Sequence, residues 1–336
     1  MRQPQVTRPL RLLALALALL LVAPVARTGW MLVRAGTFLV EFVSDAAWKP
    51  LSSLTTPPLR RRMPAPGAVI DRWMPTGLSA GVPLVLVHGF APRGKNDRRV
   101  RMAAMLLARA GFDVLVPTIP GLTAGRLRPE DAEPVVAALA ARPDPVIVLT
   151  VSVGAGPAFL AASDPRVRDR VRTLVSLGGY ASALELLRFF VTGDYEFGEL
   201  RGHVGHDPKV VRSFVGANAD LVDDSARRLL AARDIAEAEA AAGALSPTLR
   251  ELLDTLSPLR VARDVPARVI LVHGRGDPAV PYTESLRLAA ARPERTRVVL
   301  VGLLGHVEGS APPSRTAMAI DALRLWGVLY GLLADG

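Results

Sequence analysis

The spacing of apolar residues changes character several times along the chain, and each change marks a different kind of segment. Leu12 to Ala26 is apolar without a break, with Arg2, Arg8 and Arg11 ahead of it. The run is 15 residues long, against the roughly 20 that cross a hydrocarbon core unaided. With Leu10 and slight bilayer thinning it suffices as an anchor. Next, Leu32, Ala35, Leu39, Phe42 and Val43 fall on one helical face, and Arg34, Thr37, Glu41 and Asp45 on another, with Trp30 and Trp48 at either end. That pattern predicts an amphipathic helix lying in a membrane interface, or one packed on a domain. Residues 51–66, with four prolines and the run Arg60-Arg61-Arg62, read as a linker.

From Val69 onwards the period alternates. Short apolar runs predict strands at Val69 to Met74, Pro83 to Val87, Phe112 to Pro117, Val146 to Leu149, Val171 to Leu177, Arg268 to Val272 and Arg297 to Val301. Between them, Arg98 to Ala110, Glu130 to Ala141 and Glu284 to Ala291 carry helical spacing, and an amphipathic helix spans about Ser314 to Leu333. The alternation predicts an α/β fold: a mostly parallel central sheet with helices on both faces. It breaks between Ala181 and Arg263, where the composition is helical throughout. The expected organisation is an N-terminal anchor or signal region over 1–50, the linker over 51–66, and one domain over 67–336 with a helical insertion at about 181–263.

Composition narrows the chemistry. The 336 residues include no cysteine, which excludes disulfides, thiolate metal sites and a cysteine nucleophile. The net charge of +10 is almost all arginine, since Lys49, Lys95 and Lys209 are the only lysines. The arginines are scattered rather than gathered on one aromatic-lined stripe, which argues against nucleic acid as a partner. The basic N-terminus and apolar run fit either an uncleaved membrane anchor or a secretory signal. An Ala-x-Ala cleavage site is missing around Ala23-Pro24-Val25-Ala26, which favours the anchor. The alternative location is secreted or periplasmic after cleavage. The side of the membrane and the oligomeric state stay open.

Four short stretches carry candidate chemistry. In Pro145 to Ala162 an apolar run breaks at Thr150-Val151-Ser152-Val153-Gly154-Ala155-Gly156 and continues as an alanine-rich helical pattern. A strand turning sharply into a helix lifts the Ser152 hydroxyl above the sheet edge, where helix N–H groups face any forming negative charge. The plain alternative is a turn serine. His88-Gly89-Phe90 ends the second strand of the domain, and His88 reads as a structural histidine shaping its loop. His273-Gly274-Arg275-Gly276-Asp277-Pro278 ends the strand from Arg268, and Gly305-His306 follows the last strand. His203-x-x-His206-Asp207 has metal-ligand spacing but no third ligand nearby, and reads as a polar loop.

Together these stretches resemble the α/β-hydrolase family, over about Val69 to the C-terminus. The family's nucleophile elbow is G-x-S-x-G; here Thr150 stands in the first small position. The resemblance implies a catalytic triad in the chain order Ser152, Asp277, His306. It implies an oxyanion hole from the backbone N–H groups of Phe90 and Val153. The insertion resembles a lid, with Leu184, Leu187, Phe189 and Phe190 as candidate substrate contacts. The implied function is a serine hydrolase cleaving a carboxylic ester, small or lipid-like, through an acyl-enzyme, with no metal or organic cofactor. The alternatives are a peptidase or thioesterase using the same residues, or a catalytically inactive membrane-tethered binding protein of the same fold.

Overall fold

The computed structural model describes residues 8–77, 81–126, 128–205, 208–302 and 314–335. The chain opens with one long helix, α1 (Arg8–Val43), a short turn of helix, α2 (Pro50–Leu54), and two strands, β1 (Leu59–Ala65) and β2 (Ala68–Met74). Alternation follows: β3 (Val82–Val87), α3 (Arg98–Ala110), β4 (Phe112–Pro117), the short α4 (Pro120–Thr123), α5 (Glu133–Ala140), β5 (Val146–Val151), α6 (Ala155–Ser163) and β6 (Val171–Leu177). An inserted region comes next. It holds α7 (Ala183–Thr192), the hairpin of β7 (Asp194–Phe197) and β8 (Leu200–His203), α8 (Pro208–Ala217), α9 (Asp224–Leu230), α10 (Ile235–Gly243), α11 (Pro247–Thr255) and α12 (Pro258–Val261). The chain closes with β9 (Arg268–Gly274), α13 (Thr283–Ala291), β10 (Thr296–Val301) and α14 (Arg315–Ala334).

Among the described residues the main sheet has eight strands in the order β1-β2-β4-β3-β5-β6-β9-β10. β1, β2 and β4 pair antiparallel; the neighbours from β4 to β10 are all parallel. β4 is buried along its whole length and β5 as far as Thr150, as expected of strands covered on both faces. One face carries a core built around Leu139, Phe159 and Leu174 under α5 and α6. The other carries Leu107, Phe112 and Leu332 under α3, α14 and the C-terminal part of α1. The parallel strands β3, β5, β6 and β9 therefore end on one common edge, where their loops converge.

One expectation needs correcting and one alternative is decided. Residues 51–66 are not a linker: Leu59–Ala65 form β1, paired with β2 from Leu59↔Met74 to Ala65↔Ala68. An edge strand tolerates Pro64 and the exposed arginines because one side of its backbone faces no ladder. The second concerns the amphipathic stretch after Trp30, which is the later part of α1 and packs on the domain. Ala35 and Phe38 are buried in the core, and Trp326 of α14 donates to the Leu32 carbonyl at 2.9 Å. Glu41, assigned to the polar face, is buried too. Its carboxylate accepts from Ser52 N at 2.9 Å and from the Ser52 hydroxyl at 2.5 Å, tying α1 to α2. Among the described residues α14 is the helix long and apolar enough, by length and composition, to cross a membrane.

Candidate active site

β5 leaves the core at Val151, and the next residue turns the chain. Ser152 takes φ of +54°, a left-handed value that costs a non-glycine residue roughly 1–3 kcal/mol. α6 begins three residues later. The turn is this tight because the backbone of another loop passes behind it. A side chain at Gly154 would lie 2.6 Å from the His88 carbonyl oxygen and 2.9 Å from Thr150 Oγ1. Thr150, where the family pattern has glycine, is fully buried, and the bare Gly154 leaves it room.

The loop after β3 runs against this turn. A Cβ on Gly89 would stand 3.0 Å from the Val151 carbonyl oxygen and 3.2 Å from Ser152 Cβ. Phe90 therefore begins beside the serine, and neither its N–H nor that of Val153 is used in the loop hydrogen bonds among the described residues. His88 is buried and structural. Its Nδ1–H donates to the Gly89 carbonyl at 2.7 Å, and its Nε2 accepts from Ile119 N at 3.3 Å. Burial lowers its pKa below that of a free imidazole, so the ring stays neutral.

Asp277 lies on the same edge, in the loop after β9. Its Oδ1 accepts from Ala279 N at 2.8 Å and Val280 N at 3.1 Å, which fixes the turn. Its Oδ2 accepts no hydrogen bond among the described residues and faces Gly178 at the end of β6, where a Cβ would come within 2.9 Å. β5, β6 and β9 are consecutive in the sheet, so the strands that lead to Ser152 and Asp277 lie about 10 Å apart, with a gap over β6 between them. His273, the first residue of the same motif, is not available to fill it. Fully buried, it donates from Nε2 to the Val280 carbonyl at 2.9 Å and accepts at Nδ1 from the Ser285 hydroxyl at 2.7 Å. Desolvation lowers its pKa as well. His306 lies outside the described residues. The strand leading to it ends with Gly302 N donating to the buried Asp321 of α14 at 2.6 Å.

The lid residues divide differently from the sequence expectation. Leu184 and Leu187 pack into the lid's own core, around Leu229 and Leu249. Phe189 is buried against Tyr195 at 6.2 Å between ring centroids. These three are lid core, because the apolar face of α7 turns toward α9, α10 and α11. Phe190 alone reaches the site, through Phe214 of α8 at 5.8 Å, which in turn meets Phe90 at 6.1 Å. Phe214 was missed, although Val210, Val211, Phe214 and Val215 share one apolar face in the sequence of α8. Glu284 was missed too. Fully buried, its Oε2 accepts from Ala181 N and Ser182 N, both at 2.8 Å, pinning the root of the lid to α13. His203 bonds Asp194 at 2.8 Å; His206 and Asp207 fall outside the described residues.

No family model and no curated protein matches the chain. Solved structures do. A puromycin-hydrolyzing peptidase of Mycobacterium tuberculosis superposes with a TM-score of 0.51 at 18% identity, over 82% of this chain and 39% of that one. An acylaminoacyl peptidase of Pyrococcus horikoshii gives 0.51 at 15% identity, over 84% of this chain and 42% of that one. The chain has the α/β-hydrolase fold. A 2,6-dihydroxy-pseudo-oxynicotine hydrolase gives 0.50 at 18% identity, with 88% of this chain and 73% of that one covered. The chain spans about two fifths of the length of the two peptidases, and the likeness is one of fold. In an α/β-hydrolase fold the elbow, the loop after β3 and the loop after β9 meet at the carboxyl edge of the sheet. Ser152, Phe90 and Asp277 stand there.

Proposed function

We propose that this chain is a serine hydrolase that cleaves a carboxylic ester with a hydrophobic acyl group. The observation that carries the reading is Ser152 held at φ +54° against the Gly89 backbone. In the mechanism, His306 takes the proton of Ser152 as the hydroxyl attacks the acyl carbonyl. Asp277, through its Oδ2, orients the imidazole and stabilises the imidazolium. The N–H groups of Phe90 and Val153 hold the oxyanion, each worth a few kcal/mol in the transition state. His306 then protonates the departing alcohol and activates a water that releases the acid. The Phe90, Phe190 and Phe214 rings favour an apolar acyl chain over a charged one. Two proteins of similar fold are peptidases, so amide cleavage by the same residues is the competing chemistry.

A fluorophosphonate probe is expected to label the wild type and not Ser152→Ala; equal labelling of both removes Ser152 from the mechanism. Paired p-nitrophenyl esters and p-nitroanilides over a chain-length series separate ester from amide specificity. His306→Ala and Asp277→Ala are each expected to lower kcat by roughly a thousandfold or more with little change in KM.

The reading includes a membrane location. Leu12 to Ala26 serves as an uncleaved anchor continuous with α1, which is one helix from Arg8 to Val43. The full-length chain is expected in the carbonate-resistant membrane fraction. A shorter chain starting after Ala26 in the soluble fraction would mean a cleaved signal instead.

A further inference from the structure

On the sheet edge opposite Ser152, a cleft of about 570 Å³ opens between α1, the last turn of α14 and the amino ends of β3 and β6. Its walls carry three arginines: Arg27 and Arg34 from α1, and Arg172 from β6. Apolar surface from Trp30, Met31 and Leu333 lies between them. The arginines are under-used. Arg34 Nε is buried with no hydrogen-bond partner, and its guanidinium rests over the Trp30 ring at 5.0 Å. Arg172 donates through Nη1 to the Asp335 carbonyl, while its Nε and Nη2 are buried without partners. The Asp335 carboxylate is paired with Arg268 instead. Among the described residues Asp144 is the one carboxylate lining the cleft, and it is exposed.

Three buried donors on two guanidinium groups that line one cleft are unfavourable unless an acceptor reaches them. Forked, delocalised donors match the tetrahedral oxygens of a phosphate. The position of the cleft says where that phosphate comes from. Toward its N-terminus α1 continues from Arg27 straight into the apolar run Leu12 to Ala26, so the cleft lies where that run meets the domain. Tryptophan and arginine at such a boundary sit at headgroup depth.

We propose that the Arg27, Arg34 and Arg172 cleft binds the phosphate of an anionic phospholipid, with Met31 and Leu333 against its first methylenes. The proposal rests on the membrane half of the reading above and is independent of the chemistry at Ser152. The anion seats between α1, α14 and the sheet, and so clamps the anchor helix to the domain.

The test uses the full-length chain in detergent, with phosphatidylglycerol and phosphatidylcholine offered together and bound lipid counted by native mass spectrometry. One phosphatidylglycerol per chain is expected to be retained in preference to phosphatidylcholine. Arg34→Gln and Arg172→Gln are each expected to weaken retention roughly fivefold, as removal of one cationic contact does at a headgroup. Arg27→Gln, at an exposed position, keeps the test open if an inner variant fails to fold by circular dichroism. Ser152→Ala is expected to retain lipid like the wild type, whatever becomes of the hydrolase reading. Inorganic phosphate is the second arm. A phosphate-dependent rise in Tm that disappears in Arg34→Gln, without lipid preference, upholds the anion site and makes free phosphate its ligand. Equal retention of both lipids with no response to phosphate, or full retention by folded Arg34→Gln and Arg172→Gln, overturns the proposal.

Discussion

Ser152 occupies a backbone region that a free serine avoids, so the turn holds it there through its neighbours. Gly154 is the most exacting of these. Gly154→Ala places a methyl 2.6 Å from the His88 carbonyl, and the His88 loop has to move. The expected loss is about 1–3 kcal/mol in denaturant unfolding, with fluorophosphonate labelling falling further than stability does. The two buried histidines make a pH prediction. His88 and His273 are neutral, and burial depresses both pKa values. The unfolded chain then takes up the proton first. Their contribution to stability is complete above the free value near 6.5 and is lost as pH falls through the lowered folded values. Tm is expected to be level above about pH 7 and to fall below it. Protonation would disrupt the Ile119 N to His88 and Ser285 to His273 hydrogen bonds. A Tm that rises on acidification through this range would contradict the assignment. At this scale the sequence was most legible in turn geometry: the breaks it shows at Ser152 and Asp277 are turns. It could not reveal that His273 is spent on Val280 and Ser285, because a buried and an exposed histidine read alike.

Elements were legible in proportion to how much of their surroundings their own pattern encodes. β5 declares itself by a continuous apolar run. β1 does not, because Arg60, Arg61, Arg62 and Pro64 leave only Met63 and Ala65 to mark the face that packs on the core. α1 shows an amphipathic face, but that face has the same form whether it meets lipid or protein. Here Ala35 and Phe38 meet protein. The lid helix α7 is ambiguous for the same reason: its Leu184 and Leu187 pack toward the lid's own core around Leu229 and Leu249. Two predictions belong here. Glu284→Ala leaves the Ala181 and Ser182 N–H groups buried and unpaired. A loss of about 3 kcal/mol is expected, with increased proteolysis across 181–263 if the lid root loosens. Phe214→Ala removes the ring joining Phe90 to Phe190. It is expected to raise KM for long-chain esters roughly tenfold, with short-chain kcat little changed.

Across the whole molecule, the sheet separates two edges. Ser152, Gly89 and Asp277 gather where the parallel strands end. The arginine cleft and the emergence of the apolar run of α1 lie where those strands begin. α1 spans the distance as part of a core and not as a tether, since Ala35, Phe38 and Glu41 are buried along it and Trp326 bonds its backbone. A helix fixed in this way transmits orientation. If its N-terminal half stands in a bilayer, the catalytic mouth points away from that bilayer, toward the water beyond. Such an enzyme would not graze on lipids in its own membrane, and would instead intercept acylated compounds arriving by diffusion from the aqueous side.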